Sequence, residues 1–276
     1  MDGTLDRFLS SLGRQANSLV VCIARGWQES TRKETADRHE IAVEMIDAVA
    51  ELSLSESRNL GLQYLAERDP ASDGIVAFPD DDCWYVEDTL ANVAEAFATH
   101  PDLPAVSGRY GPSRELLDRD RFPDAPEELT VRKAIKRVSS VTIFIRLENV
   151  MRLGGFNPQF GTGTALLAGE DTDYVLRMLE AGLTITYRPE IIVGHPYKER
   201  PSSFKSPYVL ILASHIRRMP RLLPLLVRGL LTSVFRHPQG GSRLYAFSFL
   251  RPALLSKVAE GRANTPQFAI RARGAQ

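Results

Sequence analysis

Cysteine is nearly absent: Cys22 and Cys83 are the only two in 276 residues. They make no disulfide framework and lack metal-ligand spacing, which points to a reducing compartment. The opening MDGTLDRFLSSL lacks the basic-then-apolar build of a secretory signal. Between Tyr208 and Phe235, arginines interrupt every apolar run before it reaches about 18 residues, so no spanning helix is expected. Net charge is missing too, with 34 Lys+Arg against 34 Asp+Glu. What remains is an ordinary globular composition, 43% hydrophobic and 25% charged, enough for a sizeable core.

The zero net charge hides a division. Residues 198–276 carry 14 Lys+Arg against 2 Asp+Glu, leaving 20 against 32 for residues 1–197. A basic, apolar tail on an acidic body suggests an anionic membrane surface or a nucleic acid. Docking on its own body is the plain alternative. The tail's arginines alternate with leucines rather than aromatics, which argues against nucleic acid. At about 100° per residue, Arg217, Arg221 and Arg228 share a face with leucines opposite, the pattern of an interfacial helix. Pro220 and Pro224 interrupt that phase, so two shorter helices are expected.

Apolar periodicity sets out the body. Leu5, Phe8, Leu9 and Leu12 recur at helical spacing, and Ser53 with Glu56 reads as a capping box opening a second helix. SLVVCIA, EIAVEMI, GIVAF, VTIFI, LTITY and IIVGH read as strands. Leu90, Val93, Ala94 and Phe97 mark one helix face, and Tyr174, Val175, Met178 and Leu179 another that closes at Gly182. Strands alternating with helices predict an α/β layered sheet, where ligands sit beyond the carboxyl ends of strands. Asp80, Asp81 and Asp82 follow one strand directly, and His195 follows another.

Asp80 and Asp82 flank one residue, so their carboxylates can point the same way in an extended turn. Two carboxylates suit Mg²⁺ or Mn²⁺, which keep several non-protein ligands; a solvated turn is the plain alternative. A second acidic group, Glu170, Asp171 and Asp173, falls at a helix start, where the macrodipole already favours negative charge. Asp173 and Arg177 are spaced for an i,i+4 pair. A glycine-rich stretch, GGFNPQFGTGTALLAG, leads into these acids, one of which can act as a general base.

The ordered segments SLSESRNLGL, AFPDDDCWY, LGGFNPQFGTGT, GEDTDYVLRMLEAG and IIVGHP resemble the family 2 glycosyltransferases, most closely bacterial members that build cell-surface polysaccharides. The resemblance spans roughly residues 5–196. It implies the α/β glycosyltransferase-A fold, a Rossmann-like mixed sheet flanked by helices. It also implies that Asp80 and Asp82 hold Mg²⁺ or Mn²⁺ on a nucleotide-diphosphate sugar, with Asp81 between them and His195 completing the metal shell. Arg58 and Asn59 match the Ser-x-x-Arg-Asn-x-Gly helix start near the donor. Asp171, with Glu170 beside it, matches the catalytic base.

Two departures stand out. Family members open with a strand and a loop of the type Ile-Ile-Pro-Thr-Tyr-Asn that holds the nucleotide base, and this sequence has no counterpart. Their Asp-rich turn after the second strand reads ARGWQEST here, with Glu29 as the only stand-in. A central strand missing from a sheet leaves its neighbours' edges open. The expectation is a start upstream of Met1, or else a remnant that binds donor poorly.

The expected organisation is a catalytic domain over residues 1–197 and a basic amphipathic helical segment over 198–276. The expected activity is inverting, metal-dependent hexosyl transfer from a nucleotide-diphosphate sugar to a saccharide or lipid-linked hydroxyl. The expected location is cytoplasmic, peripheral on the inner face of the cell membrane. A nucleotidyltransferase and a degenerate membrane-associated binding module are the rivals.

Overall fold

Phe8, Leu9 and Leu12 are buried along helix α1 (Gly3–Leu12), the first of the stripes legible in the sequence. The computed structural model describes residues 3–12, 19–24, 38, 42–48, 51–68, 73–86, 88–112, 121–196, 207–235 and 251–268. Glu29 and the 197/198 boundary lie outside the described residues.

Strands β1 (Leu19–Ala24) and β2 (Ala42–Asp47) pair in parallel and form a sheet of their own. A six-stranded sheet follows, in the order β3 (Ile75–Ala77), β7 (Ile143–Arg146), β5 (Ala105–Gly111), β8 (Thr186–Gly194), β4 (Trp84–Tyr85), with β6 (Glu127–Glu128) also on β8. The β5–β8 pair is parallel and the other pairs of this sheet are antiparallel. Among the described residues no strand precedes α1, and β1 does not pair with β3.

Two strand readings differ from the structure, each for a local reason. LTITY and IIVGH belong to one nine-residue strand, because the β5–β8 register shift lies where Pro189 falls and leaves its missing N–H without consequence. Gly108 lies inside the same shift, where a Cβ would stand 2.2 Å from the Ile191 carbonyl oxygen. The start of VTIFI is a 3₁₀ turn, Ser140–Thr142: the Ser139 N–H donates to Thr142 Oγ1, and the Thr142 N–H donates to the Ser139 carbonyl.

Helices cover both faces of the large sheet. On one side α1 and α3 (Thr89–Thr99) bury Phe8, Leu9, Val93 and Phe97 against Tyr85, Val106, Phe144 and Val193. On the other, α2 (Leu54–Arg68), α4 (Val131–Arg137), α5 (Leu147–Leu153) and α6 (Glu170–Glu180) close over Phe78, Ile143, Ile145 and Tyr187. Burying each such large apolar side chain contributes about 1.5–3 kcal/mol.

Past residue 206 the described residues form α7 (Tyr208–His215), a 3₁₀ turn (Pro220–Leu222), α8 (Leu223–Phe235) and α9 (Pro252–Ala263). The helix break falls at Pro220, whereas Pro224 is accommodated in the first turn of α8, where its missing N–H costs no helical bond. Leu210, Ile211, Leu212, Met219, Leu222 and Val258 form a third cluster with Leu176 of α6 and Phe160. His215 is fully buried: Nδ1 lies 3.1 Å from Glu180 Oε1 and Nε2 lies 3.0 Å from Asp173 Oδ1. Arg262 of α9 pairs with Glu180 as well. The expected Asp173–Arg177 pair is present, 3.0 Å long and buried, so the exchange of charge happens in the interior rather than on a solvated helix face.

Candidate active site

The aspartate turn hangs from β3. Phe78, the residue after the strand, is buried edge-on to Phe156 at 5.0 Å, and Phe156 stacks on Tyr174 at 4.2 Å. Past Pro79 the chain reverses in one turn, with the Cys83 N–H donating to the Asp80 carbonyl at 3.2 Å. The Cys83 thiol, pushed up to about 12 by burial, donates to the same carbonyl and serves the turn rather than any chemistry. Asp81 is exposed at the tip, while Asp80 and Asp82 are half-buried beneath it.

His195 arrives from the far end of β8. Its own N–H is held by the Gly111 carbonyl, and β8 pairs with β4 just beyond the turn. Gly194 makes that approach possible, since a Cβ there would stand 1.9 Å from the Trp84 ring. The His195 Nδ1 lies 2.7 Å from the Pro196 carbonyl, which can only accept; in the neutral ring Nε2 therefore turns a lone pair toward Asp82 Oδ1, 3.7 Å away. Ligand atoms of Asp80, Asp82 and His195 lie within 4.8 Å of one another. The set can hold one divalent cation, with positions left for a ligand's oxygens. Asp81 is not part of it.

The second acidic group enters from α6. Gly169, at φ 105°, occupies a conformation that suits glycine and places Glu170 and Asp171 in the first helical turn. Asp171 accepts from both sides: Arg58 Nη1 donates to Oδ1 at 3.3 Å and Ser139 Oγ donates to Oδ2 at 3.1 Å. Glu170 is different. Its Oε2 is buried without a hydrogen-bond partner, and burial, reinforced by the Asp171 charge, raises its pKa to about 7.

Arg58 joins the two groups. Besides Asp171, its guanidinium donates to Asp80 Oδ1 at 3.1 Å and to Ser140 Oγ at 2.8 Å, and the side chain is only 8% exposed. Burial raises the Asp80 pKa, with Arg58 opposing that shift and Asp171 adding to it. Asn59, the neighbour of Arg58, does other work: its amide donates to the Phe156 carbonyl and accepts from the Phe156 N–H. It ties α2 to the glycine-rich loop, and Gly155 leaves room for it, since a Cβ there would stand 2.4 Å from Asn59 Oδ1.

The structure thus brings Asp80, Asp82, His195, Arg58 and Asp171 to one place, with Glu170 adjacent, and leaves Asp81 and Asn59 outside the cluster. Sequence reasoning missed Ser139 and Ser140. The only signal was a pair of hydroxyls just before an apolar strand.

A solved structure shares the fold. The crystal structure of GalNAc-T7 with UDP, GalNAc and Mn²⁺ superposes with a TM-score of 0.56 at 14% identity. The fold is of the glycosyltransferase-A type. The match covers 97% of this chain and 53% of that one, so the chain spans about half the length of the protein it resembles. No protein-family model matches the sequence, and no curated protein does. In the glycosyltransferase-A fold seen here, the metal-competent triad lies past the ends of β3 and β8, as ligand sites do in open α/β sheets.

Proposed function

We propose that the chain is an inverting, metal-dependent glycosyltransferase that moves a hexose from a nucleotide-diphosphate sugar to a hydroxyl acceptor. The family 2 resemblance favours bacterial cell-surface polysaccharide or glycolipid synthesis, with a saccharide or lipid-linked acceptor. The finer placement, peripheral at the cytoplasmic face of the cell membrane, is part of the same reading; no helix among the described residues is long and apolar enough to cross a membrane. One observation carries the proposal. Arg58 connects Asp80 of the metal-competent triad to Asp171 of the acidic helix start, so the groups for leaving-group departure and for proton transfer belong to one hydrogen-bonded unit.

Asp80, Asp82 and His195 would hold Mg²⁺ or Mn²⁺, which supplies Lewis-acid neutralisation of the departing diphosphate. The acceptor hydroxyl attacks the anomeric carbon as its bond to the diphosphate oxygen breaks, and the nucleoside diphosphate leaves with that electron pair. Asp171 takes the hydroxyl proton. A single in-line displacement inverts the anomeric centre. Arg58 and Ser139 fix the Asp171 carboxylate in place, and lone pairs on both of its oxygens remain for the incoming proton.

The test is to incubate the protein with Mn²⁺ and a panel of nucleotide-diphosphate sugars and follow nucleoside-diphosphate release with and without acceptors. Release that needs both the cation and Asp171 supports the proposal. Donor binding without release for any acceptor favours a binding module, a reading supported by the separation of β1–β2 from the large sheet. Pyrophosphate as the product would identify a nucleotidyltransferase.

A further inference from the structure

Six large hydrophobic side chains are exposed among the described residues, and three of them, Leu223, Val227 and Leu231, lie four positions apart along α8. Their exposures are 54%, 45% and 52%. A lone exposed leucine is ordinary; a row of three on one helix is not. Leu223, Pro224, Val227, Arg228 and Leu231, the exposed positions of α8 among the residues whose burial is described, occupy one arc of about 140° at 100° per residue. Gly229 sits on the opposite side, where a Cβ would meet Val209 at 3.4 Å and the Tyr208 ring at 3.5 Å. Packing there fixes the helix about its axis and keeps the row outward.

The charge around the row has one sign. Arg217, Arg218, Arg221 and Arg228 are all exposed, and residues 207–235 contain no Asp or Glu. The expectation that leucines would lie opposite the arginines is therefore corrected: the break at Pro220 puts three arginines ahead of α8, and Arg228 flanks the leucine row on the same arc. Two copies meeting through this face would set arginine against arginine, and a nucleic acid would leave the leucines against phosphates. An anionic bilayer satisfies both parts of the face, taking leucines into its interfacial layer and arginines against its phosphates.

We propose that the exposed arc of α8, with Arg217, Arg218 and Arg221, docks this protein on an anionic lipid surface. The inference rests on the peripheral-membrane part of the proposed function and not on its transfer chemistry. The docking segment is one helix away from the candidate base. Pro207 and Ile211, at the start of α7, pack against Gly169, where a Cβ would stand 2.4 Å from Ile211 Cδ1, and Gly169 opens the helix of Glu170 and Asp171.

The experiment is cosedimentation of the full chain with phosphatidylcholine vesicles, with and without phosphatidylglycerol, at low and high salt. Binding is expected only with phosphatidylglycerol, and raised salt should release it. Each Arg→Gln change at 217, 218, 221 or 228 should weaken partitioning about fivefold. The triple variant Leu223→Ser, Val227→Ser, Leu231→Ser should abolish binding with an unchanged melting temperature, because these side chains are exposed. Equal binding to neutral vesicles, or variants that bind as the wild type does, overturns the proposal. A lipid-free dimer that the triple variant converts to monomer overturns it in favour of self-association. Transfer to a soluble acceptor, assayed in parallel, keeps the two readings apart: no vesicle binding with transfer intact sinks the docking alone.

Discussion

Asp171 lies 113 positions from Arg58 in the sequence and 3.3 Å from its guanidinium. The same side chain holds Asp80, so Arg58 stands between two carboxylates that would otherwise repel. A lysine offers a point charge and cannot serve Asp80, Asp171 and Ser140 with one planar fork. Arg58→Lys is expected to lower transfer by about 10²-fold, in the range for losing one charge-assisted contact in a reacting site. Arg58→Ala is expected to lower the melting temperature, with Mn²⁺ restoring part of the loss by supplying a cation beside Asp80. Thermal melts with Mn²⁺ and with chelator measure both effects; a variant indifferent to Mn²⁺ would show that Arg58 acts elsewhere.

The metal triad makes a separate prediction. Mn²⁺ with a nucleoside diphosphate should stabilise the wild type by about 2.7 kcal/mol at a hundredfold over Kd. Asp82→Ala and His195→Ala should each remove most of the metal-dependent shift while leaving the metal-free melt near that of the wild type. Asp81→Ala should leave the shift intact, since Asp81 lies outside the cluster.

Asp171 and Glu170 separate on pH. Asp171→Asn keeps the shape of the side chain and removes the base, so transfer should fall by about 10²–10⁴-fold with metal and nucleotide binding near wild type. Glu170 has a raised folded pKa, about 7 against 4.5, so its contribution to stability is present below about pH 4.5 and is lost as pH rises through 7. In chelator, Glu170→Gln should remove that decline and melt higher than the wild type at pH 8. A parallel pair of curves across this window would place the titrating group elsewhere.

His215, on α7 against α6, loses stability in the same direction of pH as Glu170 but for a different reason. Burial alone would lower its pKa, but Asp173 and Glu180, one on each ring nitrogen, outweigh burial and raise it. A neutral imidazole carries one N–H and cannot donate to both carboxylates, so the charged ring is the form that fits. The stability it contributes is present below its unfolded value of about 6.5 and is lost as pH rises through the higher folded value. Asp173 and Glu180, held low by these partners against their own burial, lose theirs as pH falls through their depressed values. His215→Gln should therefore cost most near pH 6, about 3–5 kcal/mol for breaking a buried pair, with the deficit shrinking in alkali. Denaturant melts at several pH values check the trend.

Local pattern carried much of this molecule. Ser53 and Glu56 do exchange hydrogen bonds at the start of α2, the apolar stripes of α1 and α6 are buried, and both strand-end motifs converge on one cluster. What stayed hidden depends on partners far along the chain. Asn59 looks like a donor contact beside Arg58, yet its partner is the Phe156 backbone, 97 positions on. Nothing in the period of α7 shows that His215 turns inward to carboxylates 35 and 42 positions away. Ser139 acquires meaning only once its 3₁₀ turn faces Asp171. LTITY and IIVGH read as separate strands because a bulge can be seen only with the partner strand in place.

Among the described residues, the three-residue strand that carries the aspartate turn is laddered on one side only, to β7, and its first residue, Ile75, is 38% exposed. Leu19, at the start of β1 in the separate sheet, is similarly exposed at 36%. Amide hydrogens on such a margin leave by local fraying rather than by global opening. Residues 74–82 should therefore trade deuterium early, while β5, laddered on both sides, stays protected. Occupancy of the cluster would then register as a slowing confined to that margin, a readout of binding that requires no knowledge of which sugar is carried.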